Sequence, residues 1–191
     1  MSMLSRPYTR AIAALLACVV LLLAWLPDAS RADAPRDPMI HFFQQSFGNL
    51  PEELATARAE RKLGIFVMFD DVDCPWCARM KATVLNQPAV QDYFRKYFRV
   101  LEVDKNGNVP ITDFSGREMS QKDFAFKLHR VRATPVFLFF GLDGKVLLRY
   151  TGATKDAREF LWLGEFVVSG AYARTNFTAY KRDRLAAPQG R

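Results

Sequence analysis

Cysteine and histidine are scarce in this chain, and the scarcity is its first constraint. There are 3 cysteines and 2 histidines in 191 residues. Cys18 lies in an apolar stretch near the N-terminus, so Cys74 and Cys77 are the only cysteines beyond it. A structural zinc site built on thiolates needs a second pair, and none exists. His41 and His129 are far from the cysteines in sequence and read as ordinary surface or core residues. Covalent haem attachment asks for a histidine directly after the second cysteine, but Ala78 stands there. No internal repeat or long low-complexity segment is present, which excludes solenoids and arrays. Nor is there a basic–aromatic pattern specific enough for nucleic-acid binding.

What is present points to one globular domain. Half of the residues are hydrophobic and 13% are aromatic, 16 of them Phe, enough for a sizeable core. The formal net charge is +7. Arg6, Arg10 and Arg31 against Asp28 put +2 of this in the first 32 residues, leaving about +5 for the rest. Part of that excess lies in the tail "YKRDRLAAPQGR", Tyr180–Arg191, which reads as solvated.

The N-terminus looks like an address. Arg6 and Arg10 precede the uncharged run Ala11–Leu26, and "PDASRADA" then offers small residues at Ser30, Ala32 and Ala34. This is the layout of a signal peptide, residues 1–32, cleaved after Ala32. The apolar run falls slightly short of the roughly 20 residues of a spanning helix; a retained membrane anchor is the alternative. Either way the domain is expected outside the cytoplasm, in a bacterium the periplasm, where disulfides persist. The expected layout is then a linker or N-terminal extension over 33–49, the domain over 50–180 and a basic tail over 181–191.

Along the domain, Asn49 is placed to cap a helix with Pro51 in its first turn, Glu52 and Glu53 early and Arg58, Arg61 and Lys62 late, an order that suits the helix dipole. The apolar run "LGIFVMF", Leu63–Phe69, reads as a strand buried on both faces. "DDVD", Asp70–Asp73, is a polar turn, and a helix is expected from Pro75, with Cys74 at its N-terminus. A short helix over Pro88–Phe98 and a strand over Arg99–Asp104 follow. Lys105–Ser120 reads as irregular, and Ser120–Val131 as a helix capped by Ser120. "PVFLFF" and "KVLLRYT" flank the turn "GLDG" as a hairpin. The last helix, from Thr154 to about Thr175, is expected to bury Phe160, Leu163, Val167 and Val168. Strands alternating with helices predict an α/β domain with a mixed central sheet and helices on both faces.

The chemistry sits in "DCPWCARM". A disulfide closing so short a loop is a poor staple, because it constrains the unfolded chain little. Spacing of three places both cysteines within one helical turn. The helix N-terminus favours a thiolate at Cys74, the attacking species in thiol–disulfide exchange, and Cys77 one turn in would resolve the mixed disulfide. Pro75 fixes the backbone between them and Trp76 offers a flat apolar surface. "RATPVF" is the second signal: Pro135 cannot donate a ladder bond and belongs at a strand's first residue, and a cis Thr134–Pro135 bond would turn the chain sharply there.

Taken together, "CPWC" at a helix start, "TP" before a strand and the "GLDGK" hairpin with a final helix resemble the thioredoxin fold, over roughly Leu50–Tyr180. The resemblance implies that Thr134 and Pro135 pack against the cysteine pair and offer backbone groups to a substrate chain. "DFSGREMSQKDFAFKLHRVRATPVFLFF" and "GEFVVSGAYARTNFTAY" look most like the periplasmic SoxW-type thioredoxins, associated with bacterial sulfur oxidation. That implies a reductase of periplasmic disulfides acting through a Cys74–Cys77 dithiol. Its partners would be disulfide-bearing proteins and a membrane thiol-electron carrier as reductant. It would need no organic cofactor and no metal, and a monomer is the default. The sequence departs from ordinary thioredoxin in having Pro-Trp between the cysteines, and Met68 where that family carries a buried acid. Asp70, Asp71, Asp73 or Glu102 could supply the base instead. A disulfide-forming oxidant and a non-catalytic binding module on the same fold are the competing expectations.

Overall fold

The computed structural model describes residues 34–187. The expected signal segment, residues 1–32, lies outside them, as do the last four residues. Among the described residues no helix is long and apolar enough to cross a membrane.

The Leu63–Phe69 run forms β1 (Gly64–Asp70), buried along all but its last residue. β2 (Phe98–Asp104) pairs with it in parallel; β5 (Val136–Gly141) pairs with its other edge antiparallel, and β6 (Val146–Thr151) completes a sheet of order β2-β1-β5-β6. The sheet is therefore mixed, as the alternation of strands and helices predicts. Gly144 makes the β5–β6 turn with φ +74°, a conformation that favours glycine.

Alternation of side chains along β1 divides the core in two. Phe66 and Met68 point into a layer with Cys74, Cys77, Phe94, Phe137, Phe139 and Phe160. That layer is closed by α3 (Pro75–Thr83), α4 (Pro88–Tyr97) and α6 (Ala157–Val168). Ile65, Val67 and Phe69 point into a second layer with Leu50, Leu101, Phe124, Leu138 and Phe140. It is covered by α2 (Leu50–Ala59) and a helical segment that begins as α5 (Gln121–Asp123). The caps follow the sequence: Asn49 accepts from the Glu52 amide, Ser120 from Asp123 and Asp156 from Glu159.

Several elements differ from expectation. The 33–49 stretch is more than a linker. It forms the short helix α1 (Pro38–His41), and Phe42 and Phe43 behind it are buried in the first core layer. Two aromatic rings gain more by burial there than an exposed tether would. Gln44 donates its amide to Val100 O and accepts from Val100 N through its side chain, covering the free edge of β2. Lys105–Ser120 holds a small antiparallel pair, β3 (Pro110–Thr112) and β4 (Glu118–Ser120). The segment after α5 widens into a π-helix over Phe124–Leu128. In α6 the buried stripe is Phe160, Leu163, Phe166 and Val167, with Val168 only half-buried, because Phe166 rather than Val168 turns toward the core. The chain then breaks at Gly170, makes a 3-10 turn over Ala171–Ala173, and forms α7 (Phe177–Ala186), so the first part of the basic tail is helical.

Candidate functional site

β1 ends at Asp70, and the turn that follows delivers Cys74 to the start of α3, with Pro75 as the first helical residue. Proline fits there because that position's N–H would have no intrahelical partner. Cys74 Sγ caps the helix by accepting from the Cys77 amide at 3.1 Å. The two residues are joined by a disulfide, with Cα atoms 5.2 Å apart. Their environments are unequal. Cys74 retains 9% exposure and Cys77 only 1%. Trp76 between them is 56% exposed, with the Arg79 guanidinium 5.8 Å from its ring.

The Thr134–Pro135 peptide bond is cis. Its position follows from the sheet register: Val136 lies opposite Phe69, so Pro135 sits beside the point where β1 enters the cysteine turn. Pro135 O accepts from the Gly152 amide at 2.8 Å, tying this corner to the loop after β6. Thr134 and Pro135 therefore occupy the same end of the sheet as Cys74, Cys77, Pro75 and Trp76.

Of the acids raised by the sequence, Asp70 and Glu102 converge and Asp71 and Asp73 do not. An oxygen of Asp70 and the two cysteine sulfurs lie within 4.8 Å of one another. Lys81 Nζ, from α3 one turn beyond Cys77, stands 2.5 Å from Asp70 and 2.7 Å from Glu102. Two carboxylates thus face one ammonium. Burial raises the Glu102 pKa, and Lys81 only partly opposes it. Burial pulls the Lys81 pKa down, but its hydrogen bonds to Asp70 and Glu102 win and leave it raised. Asp71 turns away to Lys105, whose hydrogen bond lowers its pKa. Asp73 is exposed in the turn. A cavity of about 370 Å³, lined by Asp70, Asp71, Val72, Lys81, Glu102, Asp104 and Gln121, opens the acid pair to water.

Asp70, Cys74 and Cys77 are also the one group of three metal-type donors among the described residues. With the sulfurs bonded to each other, and the Asp70 oxygens accepting from the Asp71 amide and Lys81, the set offers no ready chelate in this form. His41 and His129 stand outside it. No sequence motif marks Lys81 as a site residue. Its signal was the four-residue spacing from Cys77, which places both on one helix face.

A cysteine pair opening a helix at the end of a mixed sheet, beside a cis-proline, defines a thioredoxin-fold dithiol–disulfide protein. A family model for the thioredoxin-like domain matches residues 50–168, and the chain belongs to that family. A solved thioredoxin-fold protein from Helicobacter pylori is 20% identical, with TM-score 0.59, over 76% of this chain and 93% of its own. A candidate disulphide-isomerase from Bacteroides thetaiotaomicron is 29% identical, with TM-score 0.52, over 71% of this chain and 97% of its own. No curated protein sequence matches.

Proposed function

We propose that the chain is an exported thiol–disulfide oxidoreductase that reduces disulfides of periplasmic proteins, in the manner of the SoxW-type thioredoxins it resembles. The observation that carries this reading is the unequal burial of Cys74 and Cys77 at the start of α3. The likeness to a candidate disulphide-isomerase supports the same chemistry. Export rests on the charge, apolar run and small residues of the first 34 positions.

In the reduced protein the Cys74 thiolate, favoured by the helix N-terminus, attacks one sulfur of the substrate disulfide. The substrate's other sulfur leaves as a thiolate and takes a proton from water. Cys77 gives its proton to Asp70 and attacks the Cys74 sulfur. The second substrate thiol departs with that proton, and Cys74–Cys77 is left oxidised, as in this structure. Trp76, Thr134 and Pro135 shape the surface on which the substrate chain lies. A membrane thiol-electron carrier returns two electrons to the pair, and no organic cofactor or metal enters the cycle.

The test is exchange of the purified protein with a disulfide-bearing substrate. Cys74→Ser abolishes turnover, and Cys77→Ser accumulates a mixed disulfide through Cys74, detected by mass. Turnover undiminished in both variants sinks the reading. A reductase also calls for a reduction potential toward the low end, about −270 mV, and a value of about −120 mV would make the protein a disulfide donor instead.

A further inference from the structure

Beside the cysteine pair, on the side away from the acids, lies a second groove of about 610 Å³ between the start of α3 and the loop after β6. Trp76, Arg79, Gly152, Thr154, Lys155 and Glu159 line it. Its one acid is already engaged. Glu159 Oε1 is 2.9 Å from Lys181 Nζ, and Oε2 accepts from the Lys155 amide at 3.0 Å. Arg79 is held in place by donating to the carbonyls of Thr154, at 3.1 Å, and Lys155, at 2.7 Å. These are neutral acceptors, so the guanidinium keeps its charge uncompensated. Among the described residues no carboxylate pairs with Arg79 or Lys155, and the Lys155 side chain is exposed. The groove is therefore positive, floored on one side by an aromatic ring, and contiguous with the reactive turn through Trp76. The other cavity near the pair is lined by Asp70 and Asp71, but Lys81 and Lys105 pair with those acids.

We infer that this groove is a specificity subsite for a carboxylate flanking the substrate disulfide, read by Arg79 and Lys155. The inference rests on the oxidoreductase reading and names its substrate class. A disulfide with an acidic residue beside its cysteine lays that residue in the groove as Cys74 meets the sulfur. One with a basic residue there is repelled. Charge placed this way acts on selection between partners more than on raw affinity.

The experiment compares kcat/KM for two disulfide-linked peptides that differ only in Glu or Lys beside the cysteine, at low and high salt. The wild type is expected to prefer the acidic peptide by about tenfold at low salt, as two partly exposed cations allow, and by less at high salt. In Lys155→Glu the preference disappears or reverses. A third arm uses oxidised glutathione, a small disulfide rich in carboxylates. Turnover matching the acidic peptide assigns the subsite to small disulfides, and much slower turnover assigns it to polypeptide segments. Binding is followed separately, by the shifts of the Gly152 and Lys155 amide resonances on adding a cysteine-free acidic peptide. Equal turnover of both peptides with no such shifts overturns the subsite and leaves the oxidoreductase standing. Shifts without any turnover overturn the oxidoreductase and leave a carboxylate-binding groove.

Discussion

On one face of the sheet, Asp70 and Glu102 share the Lys81 ammonium beside the disulfide. On the other face, His129 lies among Phe69, Phe124 and Phe140, and its Nε2 has no hydrogen-bond partner among the described residues. Both are polar groups withdrawn from water, but they are managed differently. The acids keep a counter-charge and a cavity to solvent. His129 has neither. Burial pulls its pKa down to about 4, and the nearby Arg149 pushes the same way against Asp113. The imidazole is thereby kept neutral where it packs against the aromatic core. Compensation, more than burial, separates the polarity that suits proton transfer from the polarity that only fills space.

The largest effect expected from this contrast is in packing. Phe66 on the cysteine side touches five other rings, those of Phe42, Phe94, Phe137, Phe139 and Phe160. Phe140 on the histidine side meets Phe114 and His129. Phe66→Ala should cost about 5 kcal/mol in urea unfolding and Phe140→Ala about 3 kcal/mol, because three more ring pairs are lost at Phe66. Equal losses would show that the two layers are equally well filled.

Next in size is the response to acid. The folded pKa of His129, about 4, lies below its ordinary 6.5. On acidification the unfolded chain therefore binds the proton first. Stability from this group is full above about pH 6.5, falls as pH drops toward 4, and totals about 3 kcal/mol across that window. Glu102, with its raised pKa, acts in the opposite sense. The difference between wild-type and His129→Phe stability curves isolates the histidine: the wild type loses ground from pH 6.5 to 4 and the variant does not. Parallel curves would mean that His129 takes up its proton at the same pH in the fold as in the unfolded chain.

The same contrast shows what was legible in the sequence. The apolar run before the cysteines, the cap at Asn49, the helix opening at Pro75 and the hairpin around "GLDG" are local patterns, and each stands where its pattern placed it. The strands Pro110–Thr112 and Glu118–Ser120 are too short to show a period of two, so Lys105–Ser120 read as irregular. Phe42 and Phe43 sit in a Pro-rich, charged neighbourhood, and only the tertiary gap above β1 explains their burial. At the site, the cysteines were visible as a motif. The acids were visible only as four candidates, because choosing Asp70 and Glu102 requires knowing that β1 and β2 pair in parallel with Met68 opposite Glu102. Arg79 and Lys155 meet across 76 residues, a separation no local pattern reports.

The smallest effect concerns the acid pair itself. If Asp70 takes the Cys77 proton, Asp70→Asn slows the second step, resolution of the mixed disulfide, and leaves the first attack by Cys74 untouched. The loss at pH 7 should be about tenfold, below the usual worth of a general base because Lys81 already holds the carboxylate. Removing a negative charge also eases ionisation of the neighbouring thiol, which works against the loss. As pH rises past the ordinary thiol range near 8.5, Cys77 ionises without help and the two proteins should converge. Glu102→Gln should act in the same direction and less, since Glu102 reaches the sulfurs only through Lys81 and Asp70. Rapid mixing of the reduced protein with a disulfide substrate at several pH values separates the two steps. A deficit in Asp70→Asn that stays constant from pH 6 to 9 would reduce Asp70 to a positioning residue and remove the distinction drawn between the two faces.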